Sequence, residues 1–225
     1  MQRPGLSLLF AVCVLSAGAA AQTKLAVVAP VTPAGKTATV AVVPAGGHRT
    51  FHDPAYKISF DYPADWTFAR KDGEISTFHL EARSAPPATR LRAVAAIPEN
   101  PFPESTFSGA HIYLSVTPHS TGVSCAMQAA ASPASPDKPA AKPPVTQIAG
   151  IAFAHGYDEQ RHICTTDRDE VYTTLRKGAC YRFDLAMNNF CGGEVSGVKD
   201  VTAQQLDEVR RRMEAILATV RFDSK

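Results

Sequence analysis

The chain has 225 residues, of which 45% are hydrophobic and 20% charged, and its formal net charge is +2 at pH 7. A length of this order is enough for one domain with a substantial core. Because the charge is close to neutral, the composition gives no electrostatic reason to expect nucleic acid or anionic lipid as a partner.

Residues 1–21 are predicted to be a cleaved secretory signal peptide. Arg3 precedes a mainly apolar stretch from Leu6 to Leu15, and small residues at Ala19 and Ala21 fit a cut after Ala21. The stretch is shorter than the roughly 20 apolar residues needed to span a bilayer. The mature protein is therefore expected to be exported, periplasmic or extracellular, with no transmembrane anchor after cleavage.

Two segments rich in alanine and proline are predicted to lie outside the core. Residues 22–52 begin with a long run of Ala, Val, Thr, Pro and Gly, and we interpret them as a flexible stalk. Residues 129–146 contain AAASPASPDKPAAKPP, in which proline recurs too often for a helix or a central strand. This second segment is interpreted as a solvent-exposed insertion within a single domain, residues 53–225.

The first structured block is predicted to form strands. From Tyr56 to Tyr62 apolar and polar residues alternate, which is typical of a half-buried strand, and this strand is expected to start the domain. Phe78–Ala82 and Ala110–Val116 have similar β-forming composition. Between them, the proline-rich segment from Pro86 to Pro103 is predicted to be a loop.

The second block is predicted to contain an apolar strand from Ile148 to Tyr157 and then a hairpin. In the hairpin, Asp169–Leu175 faces Cys180–Met187 across the short turn Arg176–Ala179, which carries a glycine. If Leu175 pairs with Cys180, the same register carried outward places Cys164 opposite Cys191.

An amphipathic helix is predicted near the end of the chain. Thr202 followed by Gln205 fits a capping box. Apolar residues then recur at three- and four-residue spacing, as expected for a helix that packs one face on a core; they are Leu206, Val209, Met213, Ile216, Leu217 and Val220. Arg210–Arg212 fall largely on the outer face, and Thr219–Phe222 can return as a last strand.

Four of these segments together resemble the PsbP-like (Mog1/PsbP) family, which has an α/β/α sandwich fold. They are YKISFDYPADW (Tyr56–Trp66), FPESTFSGAHIYLSV (Phe102–Val116), VYTTLRKGACYRFDL (Val171–Leu185) and ILATVRF (Ile216–Phe222). The resemblance implies an α+β fold in which an antiparallel sheet is flanked by helices, one of them the C-terminal amphipathic helix. It also implies a non-enzymatic binding or assembly module, by analogy of fold.

Export would place the four cysteines outside the signal peptide in an oxidising compartment, where disulfides are favoured. Three connectivities are open to four cysteines. The hairpin register makes a Cys164–Cys191 bridge available, and Cys125–Cys180 would then be the second pair. The family resemblance also favours Cys125–Cys180, because a cysteine after the middle strand and one in the GACY turn recur together in such proteins.

His155, His162 and Cys164 form the one cluster whose composition suits a metal, with Asp158 and Glu159 between them. Their spacing matches no closed zinc motif, and an oxidised Cys164 could not be a ligand, so no metal and no cofactor are predicted. The favoured interpretation is a group of polar residues on a loop that enters a strand.

Two classes of function follow from the sequence. The first is an exported binding or assembly module for a protein or a small ligand. The second is a secreted hydrolase or metal-binding enzyme with a site near His155 and His162. No Gly-x-Ser-x-Gly or His-Glu-x-x-His motif is present, and Asp61, Asp65 and Asp184 are isolated along the sequence, so the first class is preferred.

Overall fold

The structure is a computed structural model that describes residues 47–70, 86–98, 100–130, 140–161, 163–190, 192 and 197–223. The chain divides into two units, residues 1–42 and 43–225, and the described residues all belong to the second. In chain order its elements are β1 (His48–Asp53), β2 (Ile58–Pro63), β3 (Thr67–Ala69), β4 (Arg90–Ala96), β5 (Phe107–Thr117), α1 (Gly122–Met127), β6 (Val145–Ile148), β7 (Ile151–Arg161), β8 (Thr165–Arg176), β9 (Ala179–Phe190), α2 (Ala203–Leu217) and β10 (Arg221–Phe222).

Most of the described residues form antiparallel sheet. A large sheet of seven strands has the order β3-β4-β5-β9-β8-β7-β6, and a small sheet has the order β1-β2-β10. The main core contains Phe60 and Ile58 of the small sheet, Leu114 and Phe183 of the large sheet, and Met213 of α2. The predicted strand at residues 78–82 lies outside the described residues.

The small sheet corrects the predicted end of the stalk. We predicted that residues 22–52 lie outside the domain, but β1 pairs with β2 along its whole length and Phe51 is buried in the core. The polar sequence of β1 gives little sign of a strand, and its conformation depends on pairing with β2. The folded domain therefore begins with β1, ahead of the strand that we expected to start it.

Strand β4 corrects a second prediction, that Pro86–Pro103 is a loop. Leu91, Ala93 and Ala95 of β4 are buried, and the strand pairs with both β3 and β5. Alanine is a weak strand former, and the prolines on both sides suggested an irregular segment. Burial between two neighbouring strands overrides these local preferences.

The predicted insertion at 129–146 is also too wide at both ends. Ala129 is buried beside Ala154, and Val145 already belongs to β6, which forms a hairpin with β7 through Ala149 and Gly150. The single strand predicted from Ile148 to Tyr157 is thus two strands. Positive φ angles at both turn residues explain why this apolar segment reverses direction.

The β8–β9 hairpin and its register are confirmed. Leu175 lies opposite Cys180, and the ladder runs without a bulge from Arg176 and Ala179 to Thr165 and Phe190. The turn residues Lys177 and Gly178 both have positive φ, as a tight hairpin turn requires. Sequence pattern and turn chemistry were sufficient here because both act over a short distance.

Helix α2 begins after the predicted capping box. The Thr202 side chain accepts a hydrogen bond from the Gln205 N–H, and the Gln205 side chain accepts one from the Thr202 N–H. Val209, Met213 and Leu217 are buried in the core, as their spacing predicted. None of the helices among the described residues is both long and apolar enough to cross a membrane.

A buried ion pair joins the two sheets. Asp53 at the end of β1 is fully buried, and its Oδ2 lies 2.6 Å from Nε of Arg92 in β4. The backbone N–H groups of Ala55 and Tyr56 donate to Oδ1 of the same carboxylate. Asp53 thus receives donors from both sheets, as a buried carboxylate needs.

Helix α1 lies over the face of the large sheet that is opposite to α2. Ala126 and Ala129 pack on Ala154 and Val171, whose side chains alternate with those of the main core. Gly156 of β7 lies directly under this segment, because a Cβ placed on it would be 1.6 Å from the carbonyl oxygen of Ala129. No side chain fits there unless the segment moves.

We expect Gly156→Ala to lower the free energy of unfolding by about 1–3 kcal/mol, the usual cost of overpacking. Urea denaturation measures the change as a shift of the midpoint at constant slope. Gly122→Ala is the matched control, since a Cβ at Gly122 meets nothing within 4 Å. Equal stability of the two variants would show that Ala129 does not pack closely on Gly156 of β7.

Candidate functional site

His155, the histidine that the sequence singled out, lies on β7 and is held by two neighbours on β8. Its Nε2 is 2.5 Å from Oε2 of Glu170, and its ring stacks on Tyr172 at a centroid distance of 4.4 Å. Tyr172 lies directly opposite His155 in the β7–β8 register. Both contacts are made within the sheet, so they orient the imidazole firmly.

The structure does not bring the predicted cluster together around His155. Asp158 is on the opposite face of β7 from His155 and Glu159, because side chains alternate along a strand. Cys164 lies beyond the end of β7 and is exposed, and His162 is outside the described residues. Within the described ranges, no three His, Cys, Asp or Glu side chains meet in a way that could hold a metal ion.

Glu159 instead belongs to a charged group on the same face as His155. Its carboxylate accepts hydrogen bonds from the Tyr157 hydroxyl and from Nε of Arg161, both at 2.8 Å, and Nε of Arg168 lies 3.2 Å away. Arg168 in turn donates to the side-chain oxygen of Asn189. We call Tyr157, Glu159, Arg161, Arg168 and Glu170 the β7–β8 platform.

The electrostatics of the platform follow from these contacts. Burial and the adjacent Glu159 raise the pKa of Tyr157 to about 12, so its hydroxyl remains a hydrogen-bond donor at neutral pH. The hydrogen bonds from Tyr157 and Arg161, with the charge of Arg168, hold the pKa of Glu159 below its ordinary value. The platform therefore presents a fixed carboxylate between two guanidinium groups.

Helix α2 extends the same network. The Tyr172 hydroxyl donates to Oε1 of Glu214 at 3.2 Å, and Nη1 of Arg210 donates to the same oxygen at 2.8 Å. Arg210 also bonds the Asp207 carboxylate one turn earlier. Burial raises the pKa of Tyr172, and the nearby Glu214 adds to that shift.

A second polar group lies on the opposite face of the large sheet, in the hairpin strand β9. Arg182 and Asp184 are both buried, and Nη2 and Nε of Arg182 lie 2.7 and 2.8 Å from Oδ1 of Asp184. Arg182 lies between Ser115 of β5 and Thr173 of β8 in the strand register. The Ser115 and Thr173 hydroxyls are buried and have no hydrogen-bond partner in the part of the chain that the structure describes.

Asp184 was predicted to be an isolated carboxylate, and its pairing with Arg182 was missed. The alternation of Arg182, Asp184 and Asn188 within an otherwise apolar strand was a usable signal. Because alternate residues share one face, that pattern places polar side chains on the face away from the core. Only the fold shows that this face is buried.

One predicted disulfide is confirmed. Cys125 of α1 is bonded to Cys180 of β9, and both residues are buried. Cys164 is exposed and has no disulfide partner among the described residues, while Cys191 lies outside them. The β8–β9 ladder reaches Thr165 and Phe190 in the predicted register, one pair short of Cys164 and Cys191, and that second bridge stays a prediction.

The chain is similar to two solved structures at low identity. One is a crystal structure of a Bacteroides thetaiotaomicron protein, with 14% identity and a TM-score of 0.42, covering 78% of this chain and 48% of that one. The other is the solution structure of cyanobacterial PsbP (CyanoP) from Synechocystis, with 10% identity and a TM-score of 0.40, covering 84% of this chain and 100% of that one.

The chain spans about half the length of the Bacteroides thetaiotaomicron protein. No protein-family model matches the chain, and no curated protein matches it. At these identities and TM-scores, the two similarities assign neither a family nor a function to the chain.

Proposed function

We propose that the chain is an exported, non-enzymatic binding or assembly module with a PsbP-like α/β/α sandwich fold. The predicted signal peptide supports export, and so does the Cys125–Cys180 disulfide, because disulfides persist mainly in oxidising compartments. The sequence resemblance supports the fold, as does a large antiparallel sheet with α2 on one face and α1 on the other.

The observation that carries the proposal is the β7–β8 platform. Glu159, Arg161 and Arg168 are already fixed by one another, and Glu170 is held by His155, so these groups would lose little conformational freedom when a partner binds. Tyr157 and Arg161 remain exposed, at 44% and 78%. Tyrosine and arginine are enriched at protein interfaces, and we therefore assign the platform as the surface that receives a partner protein.

The alternative is a hydrolase or metal-binding enzyme with a site near His155 and His162. One observation favours it: a carboxylate that orients an imidazole, as Glu170 does for His155, is a common arrangement for a general base. However, the Glu170 contact occupies Nε2, and the ring face lies against Tyr172. These contacts fit a structural histidine better than a catalytic one, so binding remains the preferred function.

The test is site-specific photo-cross-linking of the full chain in the exported compartment of the source cell. With p-benzoylphenylalanine at position 157, we expect one dominant protein adduct. The matched control carries the same group at position 123 on α1, where Val123 is 76% exposed, and it should give no such adduct. Adding Arg168→Ala to the position-157 protein should weaken the adduct about tenfold if Arg168 is a hot spot.

Equal labelling from positions 157 and 123 would contradict the assignment of the platform. Far-UV circular dichroism of the Arg168→Ala protein checks that a weaker adduct does not result from unfolding. An adduct with twice the mass of the monomer would identify a second copy of the chain as the bound protein.

A further inference from the structure

Among the residues that the structure describes, the outer edge of β7 is unpaired over its second half. Strand β6 pairs with β7 only as far as Ala154, and the His155 N–H then donates to the carbonyl of Pro144 at 2.9 Å. Along β7, the N–H and C=O groups of alternate residues point toward β8 and toward the opposite, outer edge. Those of Tyr157, Glu159 and Arg161 point to the outer edge, as those of His155 do. In the described part of the chain, no strand pairs with this edge beyond His155.

Unpaired N–H and C=O groups at a sheet edge are a template for another strand. Proteins commonly protect such edges with charged side chains, and the residues of this segment with outward-facing backbone groups include one acid, Glu159, and one base, Arg161. These two charges disfavour a strand that presents a carboxylate to Glu159 or a cation to Arg161. They also define which strand would be accepted, since a complementary strand must present an arginine to Glu159 and a carboxylate to Arg161.

We propose that this strand is β7 of a second copy of the chain, paired antiparallel about a two-fold axis. In the proposed register, Glu159 of one copy lies opposite Arg161 of the other. The two-fold axis repeats this pair, so the dimer contains it twice. Both residues have outward-facing backbone groups, as the hydrogen-bonded positions of an antiparallel ladder require. The two large sheets then form one continuous sheet.

The neighbouring registers lack this complementarity. A shift that sets Glu159 opposite Glu159 places two carboxylates directly against each other, which destabilises a strand pair. In the proposed register, Gln160 lies on the two-fold axis, and its amide can donate to and accept from the same amide of the second copy. Arg161, whose Nη2 lies 2.8 Å from its own Glu159, has only to exchange one carboxylate for another.

The proposal is tested by the oligomeric state of the full mature chain in sedimentation velocity, measured up to about 0.5 mM. The wild-type chain is expected to form dimers as its concentration rises. Glu159→Arg and Arg161→Glu should each weaken the dimer at least about tenfold, because each places like charges opposite one another. An equimolar mixture of the two variants should recover the dimer, since both opposed pairs then carry opposite charges.

Arg49→Glu, at an exposed position of β1, is the matched charge-reversal control and should dimerise like the wild type. Thermal melts check that each variant is folded. Arg161→Glu is expected to disturb folding least, because the Arg161 side chain is 78% exposed. A wild-type chain that stays monomeric would overturn the proposal. So would two folded variants that dimerise as well alone as when mixed. Neither result depends on whether the platform binds a different protein.

Discussion

Replacing Asp53 by asparagine is expected to lower the free energy of unfolding by about 3–5 kcal/mol, the usual cost of removing one member of a buried ion pair. The guanidinium of Arg92, which is 11% exposed, would lose the Asp53 carboxylate and remain largely buried. The asparagine keeps one side-chain oxygen, and if that oxygen accepts the N–H groups of Ala55 and Tyr56, as Oδ1 of Asp53 does, the amide NH2 faces Arg92, where it cannot accept a hydrogen bond. Chemical denaturation of the purified domain measures the loss.

The same carboxylate makes stability depend on pH. Burial alone would raise the pKa of Asp53, but the hydrogen bond and charge of Arg92, with the two backbone N–H groups, outweigh it and hold the pKa below its ordinary value of 3.8. The stabilisation is therefore complete above the unfolded-state pKa and is lost as the pH falls through the lower folded-state pKa. We expect Asp53→Asn to remove this part of the acid dependence.

Two controls separate the buried pair from charge effects in general. Arg211→Ala breaks the exposed pair with Asp207 on α2 and should cost at most about 1 kcal/mol. A double variant, Asp53→Leu with Arg92→Leu, should recover part of the stability lost in Asp53→Asn, because no buried charge is left unpaired. If Asp53→Asn is no more costly than Arg211→Ala, the ion pair does not join the sheets as described.

The sequence predicted those elements whose determinants are local. The β8–β9 register followed from a glycine turn between two strand-like segments, and the start of α2 followed from Thr202 and Gln205. Strand β4 was missed because its alanines have weak strand preference and acquire their conformation from pairing with β3 and β5. The polar strand β1 was missed for the same reason.

The candidate site shows the same limit. The sequence singled out His155, but its partner Glu170 is set by the β7–β8 register, and the short connection between those strands, residues 162–164, contains no glycine, proline or asparagine that would have indicated the register in advance. Glu159 and Arg168 are likewise opposite each other only in that register. The register of β7 with β8 had to be known before the platform could be recognised, whereas the charged residues Glu159 and Arg161 were visible in the sequence.

Replacing both Cys125 and Cys180 by alanine is expected to destabilise the domain by about 4 kcal/mol. The bridge closes a loop of 55 residues, and the stabilisation grows with the length of the loop that is closed. It holds α1 against the hairpin turn, where the Ser120 N–H donates to the carbonyl of Gly178 at 2.8 Å. Hydrogen exchange should therefore accelerate first in α1, before global unfolding.

Cys164→Ala is the control for this loss and decides whether a second bridge exists. As a free, exposed thiol, Cys164 should be replaceable at a cost within about 0.5 kcal/mol. If the hairpin register instead continues into the predicted Cys164–Cys191 bridge, the same change should cost about 3–4 kcal/mol, as expected for the shorter loop.

Intact mass after alkylation under denaturing conditions, with and without reduction, distinguishes these cases, because two bridges leave no thiol to label before reduction. A double alanine variant of Cys125 and Cys180 as stable as the wild type would show that the bridge to α1 does not stabilise the fold.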